Sequence, residues 1–265
     1  MMKNTEEVFD YLDKAIKSDF RYFLPKIVDR VYLCVESGKP AFTDFLDPMR
    51  LQYATNMLAG LEKFGIIMTE NGGHGQAERK MLGFGFEKLT IEDFPISKIE
   101  LTYDSKFKKL FHNDFLGAVI SLGVDRSVIG DIVPLVDSWV IIMNSKLSDF
   151  VHTNLYYVSN MLIKARLLPK DYEIFGLDNK VTETIVCSSL KLVKILATTF
   201  NLSRQHANTL IQNRMAFVNW VVEDHPSCLI KTGDTISLRT HGKFQIKKIL
   251  GKSKKDNFII EIVKY

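Results

Sequence analysis

The spacing of apolar positions changes several times along the chain, and each change marks an element. Over residues 4–20, Val8, Leu12, Ala15 and Ile16 fall on one helical face, with Thr5 a candidate N-cap. A second helix is expected after Pro25, carrying Ile27, Val31, Leu33 and Val35 and ending near Gly38 and Pro40. AFTDFLDP reads as a short extended piece. Pro48 suits the first turn of a third helix, whose buried stripe would be Leu51, Ala54, Met57, Leu58 and Leu61. GIIMTE and GFGFE can pair as strands across the loop NGGHGQAERK.

Residues 95–170 have a clearer rhythm. SKIELTY reads as a strand and HNDFLGAVISLG as a helix ending at Gly123. SVIGDIVP and SWVIIMN are strands about a turn near Asp137, SKLSDFVHTNL is a helix, and NMLIKARLL is a last strand. That order is β-α-β-β-α-β, the split arrangement of ferredoxin-like and RNA-recognition folds. PKDYEIFGLDNKVTET follows as a linker, with Pro169, Gly176, Asp178 and Asn179 marking turns. Beyond it, residues 188–265 read as two short packed helices followed by small β-structure. Leu190, Leu192, Val193, Ile195 and Leu196 form the buried side of the first helix. MAFVNWVV turns about Asn219, and KTGDTISLR is a turn leading into a strand.

Charge singles out this last region. Residues 182–265 hold thirteen Lys/Arg against six Asp/Glu, a net +7, whereas residues 1–181 carry −3 within a chain total of +4. A module that concentrates the positive charge points to a polyanion partner. The remaining composition, 46% apolar and 25% charged over 265 residues, suits a soluble protein of two or three domains. No apolar run approaches the ~20 residues of a membrane span, and the acidic, amphipathic N-terminus lacks a signal-peptide core. Cys34, Cys187 and Cys228 are far apart, and no His or Cys stands at metal-ligand spacing from another. A reducing cytoplasm, with no disulfide framework and no metal, is the expectation.

The candidate chemistry is that of binding. Within NGGHGQAERK, Gly72, Gly73, His74, Gly75, Arg79 and Lys80 could touch a phosphate. The P-loop spacing is absent, however, and a long exposed hairpin turn is the favoured reading. SWVIIMN offers Trp139 but no Gly-Phe-Val-x-Phe run, so base stacking on that sheet is unsupported and Trp139 is expected in the core. Asp114 and Asp131 are read as a helix-start residue and a turn residue. In the basic region Ser203 is read as an N-cap, placing Arg204 in the first turn, where unpaired amides and a guanidinium can share a phosphate. Lys191 and Lys194 share a helix face, and Lys243, Lys247, Lys248, Lys252, Lys254 and Lys255 cluster near the end.

SLKLVKILATTFNLSRQHANTLIQNRMAFVNW followed by KTGDTISLR resembles the S-four RNA-binding domain, with the pattern SxRLDxxLAxxxxxSRxxAxxLIxxGxVxVN and then GDxIxVR. Leu192, Leu196, Ala197, Ser203, Arg204, Ala207, Leu210, Ile211, Val218, Asn219, Gly233, Asp234, Ile236 and Arg239 match it. Lys191 stands where Arg is usual, Val193 where Asp is usual and Arg214 where Gly is usual. LFHNDFLGAVISLGVDRSVIGDI, TDFLDPMR and the GKFQIKKILGKSKK ending resemble the YlmH family of bacterial proteins, with Asn113 at a position often Arg.

That resemblance implies an α+β protein of three parts. These are an N-terminal α+β domain over 1–92, an RNA-recognition-like domain over 93–170 and an S-four domain over 182–265. It implies a cytoplasmic, non-enzymatic protein without cofactors that binds rRNA of the large ribosomal subunit and peptidyl-tRNA. Its role would be ribosome-associated quality control alongside other factors of that process. The RNA-contacting residues would be Lys191, Lys194, Ser203, Arg204, His206, Arg214, Asn219, Lys252, Lys254 and Lys255. Two alternatives stand beside it. One is an RNA-modifying enzyme, a pseudouridine synthase or methyltransferase, because S-four domains are also appended to such enzymes. The other is a docking protein linked to cell division.

Overall fold

The computed structural model describes residues 5–17, 23–175 and 181–264. Two units emerge, Met1–Leu177 and Asp178–Tyr265.

The first unit opens with α1 (Thr5–Lys17) and α2 (Leu24–Ser37). Val8 and Leu12 of α1 are buried, while the side chains of Ala15 and Ile16 lie outside the described residues. α2 buries Ile27, Val28, Val31, Cys34 and Val35, and Leu33, expected on that stripe, is 47% exposed because it falls outside the i, i+3, i+4 register. Gly38 closes α2 in the left-handed conformation. β1 (Ala41–Phe42) leads to α3 (Pro48–Met57), where Asp47 accepts the Arg50 amide as N-cap and Pro48 occupies the first turn. A 3-10 turn over Ala59–Phe64 precedes β2 (Ile67–Asn71) and β3 (Met81–Gly85). The sheet order is β1-β3-β2, so the expected hairpin across NGGHGQAERK forms.

There follow β4 (Ile96–Thr102), α4 (His112–Ser121), β5 (Ile129–Pro134), β6 (Ser138–Asn144) and α5 (Ser145–Asn154). A small hairpin of β7 (Tyr157–Val158) and β8 (Met161–Leu162) then precedes β9 (Lys164–Leu168). The stretch NMLIKARLL, expected as one strand, thus divides between β8 and β9. The sheet order is β5-β6-β4-β9 with antiparallel neighbours throughout, so β4-α4-β5 is a crossover split by β6.

Alternation along the strands gives this sheet two apolar faces. Ile99, Leu101, Ile141 and Met143 face the helices and pack with Phe115, Val119 and Val151. Trp139 sits half-buried on that side, its ring 4.8 Å from Phe115. On the opposite side Ile96, Val140, Ile142 and Leu168 pack against Phe45, Met81, Leu89 and Phe94. The sheet is therefore buried on both sides, with the N-terminal elements covering the face away from the helices.

The second unit begins with β10 (Val181–Cys187). Residues 181–184 were expected in the linker. Only Ile185 and Cys187 of this strand are buried, so its alternation is too short to read, and pairing with the final strand reveals it. Gly176, Asp178 and Asn179, the expected turn markers, lie outside the described residues. α6 (Leu192–Thr199), α7 (Arg204–Gln212), β11 (Ala216–Val218), β12 (Val221–Val222), β13 (Thr235–Leu238), β14 (Gly242–Lys252) and β15 (Phe258–Lys264) complete it. The six strands run β10-β15-β14-β13-β11-β12, and Leu192, Ile195, Leu196, Ala207 and Ile211 pack the helix pair onto Ile236, Phe244, Ile246, Ile260 and Ile262. Two bulges in β14, at Ile246/Lys248 and Ile249/Gly251, break the alternation and leave both Lys247 and Lys248 exposed.

Candidate functional site

The start of α7 is the clearest built feature of the second unit. Ser203, in extended conformation, accepts the His206 amide on its hydroxyl at 3.1 Å, as its N-cap role requires. The amides of Arg204 and Gln205 find no acceptor among the described residues, and they stand at the positive end of the helix dipole. α6 starts differently. Lys191 caps it without a side-chain bond, while the amides of Leu192 and Val193 donate to the carbonyls of Cys228 and Pro226 at 2.8 and 3.1 Å. That helix end is closed by backbone and offers only its side chains.

Arg204 lies where two shallow clefts meet. One is lined by Val186, Ser188, Lys194, Ala197, Thr198, Leu202, Arg204 and Asn257. The other is lined by Lys191, Val193, Arg204, Gln205, Asn208, Pro226 and Ser227. Three of the expected cations thus converge on one helix start. Ser188, Gln205, Asn208 and Asn257 join them, and sequence reading missed these because isolated polar residues carry no local signal. Asn257 also places the tip of the β14–β15 hairpin, with exposed Lys254 and Lys255, beside the Lys194 cleft. Lys252 is already engaged, at 2.9 Å from Asp256 and 5.0 Å from the Phe258 ring centroid.

The other expected residues lie elsewhere in the module. His206 is exposed and belongs to an aromatic chain with His241 and Phe200. Arg214 sits at the far end of α7, roughly 15 Å from Arg204 by helical rise. It has φ +59°, and its amide and that of Met215 bond to the carbonyls of Ile211 and Leu210. This is a Schellman ending whose left-handed position usually takes glycine. Asn219 turns β11 into β12 at φ +50°, and both ends of its amide are engaged, Nδ2 donating to Asp234 at 2.9 Å and Oδ1 accepting from the Thr235 amide at 2.9 Å. Asp234 also accepts the Lys231 amide at 2.7 Å. Asn219 and Asp234 therefore fix the turn.

In the first unit the glycine-rich loop is not the exposed turn that its composition suggests. Asp131 is not a turn residue either. It lies in β5, and its carboxylate accepts the amides of Glu78 and Arg79 at 2.7 and 3.2 Å and faces His74 Nε2 at 3.1 Å. The His74 and Asp131 side chains are only 9% and 17% exposed. Burial raises the Asp131 carboxyl, but these hydrogen bonds from His74, Glu78 and Arg79 outweigh it and hold the group below its ordinary value. Gly73, at φ +83°, presses onto the sheet, where a Cβ would meet Ile142 at 2.9 Å and Ile96 at 3.1 Å.

Arg79 donates to the carbonyls of Ile129 and Phe45 at 3.0 and 2.8 Å. Burial lowers its affinity for the proton, against opposing contributions from Asp47 and Asp131. Arg126 donates to Ile129 at 2.5 Å, and burial together with the neighbouring Arg79 cation brings it down to about 10. The loop that resembles a phosphate cradle is internal mortar. A distance between sequence segments explains why it was misread: its partners are about fifty positions away. Asp114 does serve as a helix-start residue, its carboxylate accepting the Phe111 amide at 2.8 Å.

Fold and site define an α/β protein whose second unit lays a helix pair on an antiparallel sheet and gathers cations at one helix start. A family profile described as "Putative RNA-binding domain in YlmH" matches residues 90–172. "Ribosome-associated protein quality control protein P2" of Bacillus subtilis (strain 168) is 31% identical over 245 residues, covering 91% of this chain and 94% of that protein. The chain belongs to the YlmH family. A solved structure titled "Cell division protein ylmH from Streptococcus pneumoniae" aligns at TM-score 0.45 and 21% identity, over 64% of this chain and 95% of that one. Among the described residues no helix is long and apolar enough to cross a membrane.

Proposed function

We propose that this protein is a cytoplasmic RNA-binding factor of the large ribosomal subunit, acting on stalled peptidyl-tRNA in ribosome-associated quality control. The convergence of Arg204, Lys191 and Lys194 on the open, Ser203-capped start of α7 carries this reading. The relative's name supports the ribosomal setting, and the profile over residues 90–172 supports RNA as the polyanion. In this reading the second unit is an S-four module and residues 93–170 form an RNA-recognition-like domain, supported by the helix pair with its Ser-Arg start and by the β5-β6-β4-β9 order. rRNA and tRNA phosphates supply most of the affinity.

The protein acts by binding and not by catalysis. Asp114 and Asp131, the carboxylates an RNA-modifying enzyme could recruit, are both engaged by backbone amides. The test is Arg204→Ala combined with Lys191→Ala. Co-sedimentation with large subunits should fall while the thermal melt stays nearly unchanged. Full co-sedimentation of the double variant would overturn the assignment.

A further inference from the structure

The RNA-recognition-like reading raises a question of place. In such folds bases stack on the sheet face away from the helices, but here that face is covered by Phe45, Met81, Leu89 and Phe94. Any stacking surface on this unit must therefore use aromatic rings that remain outside. The connection from β4 to α4 provides them.

Within residues 103–112 one apolar side chain turns inward and two turn outward. Leu110 is buried at 1% exposure, while Phe107 and Phe111 are 82% and 60% exposed. The loop holds this arrangement by defined contacts. The Leu110 amide donates to the Tyr103 hydroxyl at 3.0 Å, and the Lys106 amide to Asp104 at 3.1 Å. Lys106, Lys108 and Lys109 are interleaved with the exposed rings, and Lys109 Nζ lies 5.9 Å from the Phe111 ring centroid. None of the three lysines forms a salt bridge among the described residues.

A second segment is joined to this loop through Asp114. Its carboxylate accepts the Phe111 amide at 2.8 Å on one oxygen and the Ser159 hydroxyl at 3.0 Å on the other. Ser159 is in the turn of the β7–β8 hairpin, which packs against α4 and carries Tyr156 and Tyr157, each 60% exposed. One carboxylate thus ties a lysine-rich aromatic loop to an aromatic hairpin, and the acidic residues within and just after the loop in sequence, Asp104 and Asp114, are engaged by hydrogen-bond donors.

We infer that this loop and hairpin form a second RNA contact, a stacking platform for unpaired nucleotides built on Phe107 and Phe111, with Tyr156 and Tyr157 contributed by the tied hairpin and lysines on the phosphates. Solvent-exposed rings with cations between them match the requirements of single-strand binding, since every base has a stacking face and no sequence readout is needed. An apolar protein partner would have no use for three lysines around the exposed rings. This inference rests on the RNA-binding reading above but uses a different unit and different residues.

The test uses the full-length protein and an unstructured oligoribonucleotide carrying 2-aminopurine, whose fluorescence is quenched on stacking. Phe107→Ala with Phe111→Ala, and separately Phe107→Leu with Phe111→Leu, should weaken binding by about tenfold or more and abolish the quench. Phe107→Trp with Phe111→Trp should retain both. Replacing the three lysines by Ala should lower the salt dependence of oligonucleotide binding by about 2 in slope. Wild-type binding and quenching by the Leu variant would overturn the platform. So would unchanged RNA binding accompanied by loss of a protein partner, which would make the patch a protein-docking face. Where either of those results is accompanied by co-sedimentation that still depends on Arg204 and Lys191, the platform alone has failed. A wild-type protein binding neither subunits nor oligonucleotide would sink both readings.

Discussion

Two basic stretches of this chain look alike as sequence and behave oppositely as structure. NGGHGQAERK in the first unit has glycines, a histidine and two cations, and LSRQHAN in the second has an arginine and a histidine behind a serine. In the first, Arg79 and His74 turn inward onto Ile129, Phe45 and Asp131. In the second, Arg204 stays exposed at a helix start with Lys191 and Lys194 around it. A cation signals a ligand only when the fold leaves it without an internal acceptor. The difference should separate stability from binding in the two regions.

The largest effect is expected at Asp131. Asp131→Ala removes the acceptor of the half-buried Glu78 and Arg79 amides and should lower stability by about 3 kcal/mol, read by denaturant unfolding. Gly73→Ala should follow, because it combines a left-handed backbone with a Cβ 2.9 Å from Ile142. A loss of about 2 kcal/mol is expected there. Neither change should alter RNA affinity in protein that remains folded.

The Asp131 carboxyl also gives a pH signature. Its folded-state value is held below the unfolded one, so its contribution is complete above the ordinary value of 3.8 and is lost as pH falls through the depressed value. Melting temperature should therefore drop on acidification below about pH 4. In Asp131→Asn that acid dependence should flatten, at a cost in stability near neutral pH. An unchanged acid profile in the variant would show that the carboxylate does not bind the loop as described.

The smallest expected effect is at Arg214, and it sharpens the contrast because it runs the other way. Its φ of +59° disfavours a side chain, so Arg214→Gly should stabilise the second unit by up to about 1 kcal/mol. If the guanidinium serves RNA, the same change should reduce the salt slope of binding by about 1.

Much of the fold was legible because it is locally encoded. Short apolar runs gave β4, β5 and β6 over nearly their observed bounds, and Ser203 announced α7 through its cap. What failed was nonlocal. β10 was hidden in an apparent linker because it is an edge strand with only Ile185 and Cys187 inside. Asp131 read as a turn residue because its donors, Glu78 and Arg79, lie more than fifty positions earlier. Asn219 matched a binding motif, yet its amide is engaged at both ends by Asp234 and Thr235. Of the candidate site, spacing gave the lysines and Arg204, whereas only the fold brings Asn257 and Asn208 beside them.

The central claim is that the cations at the start of α7 hold RNA while those of the glycine-rich loop hold the fold. The most direct measurement is the salt dependence of large-subunit binding for the wild type and for Arg204→Ala with Lys191→Ala, with melts recorded in parallel. The account predicts a slope smaller by about 2 in the double variant, weaker binding at every salt concentration and a melt within a degree or so of wild type. An unchanged slope, or weakened binding that merely tracks a lowered melt, would contradict it.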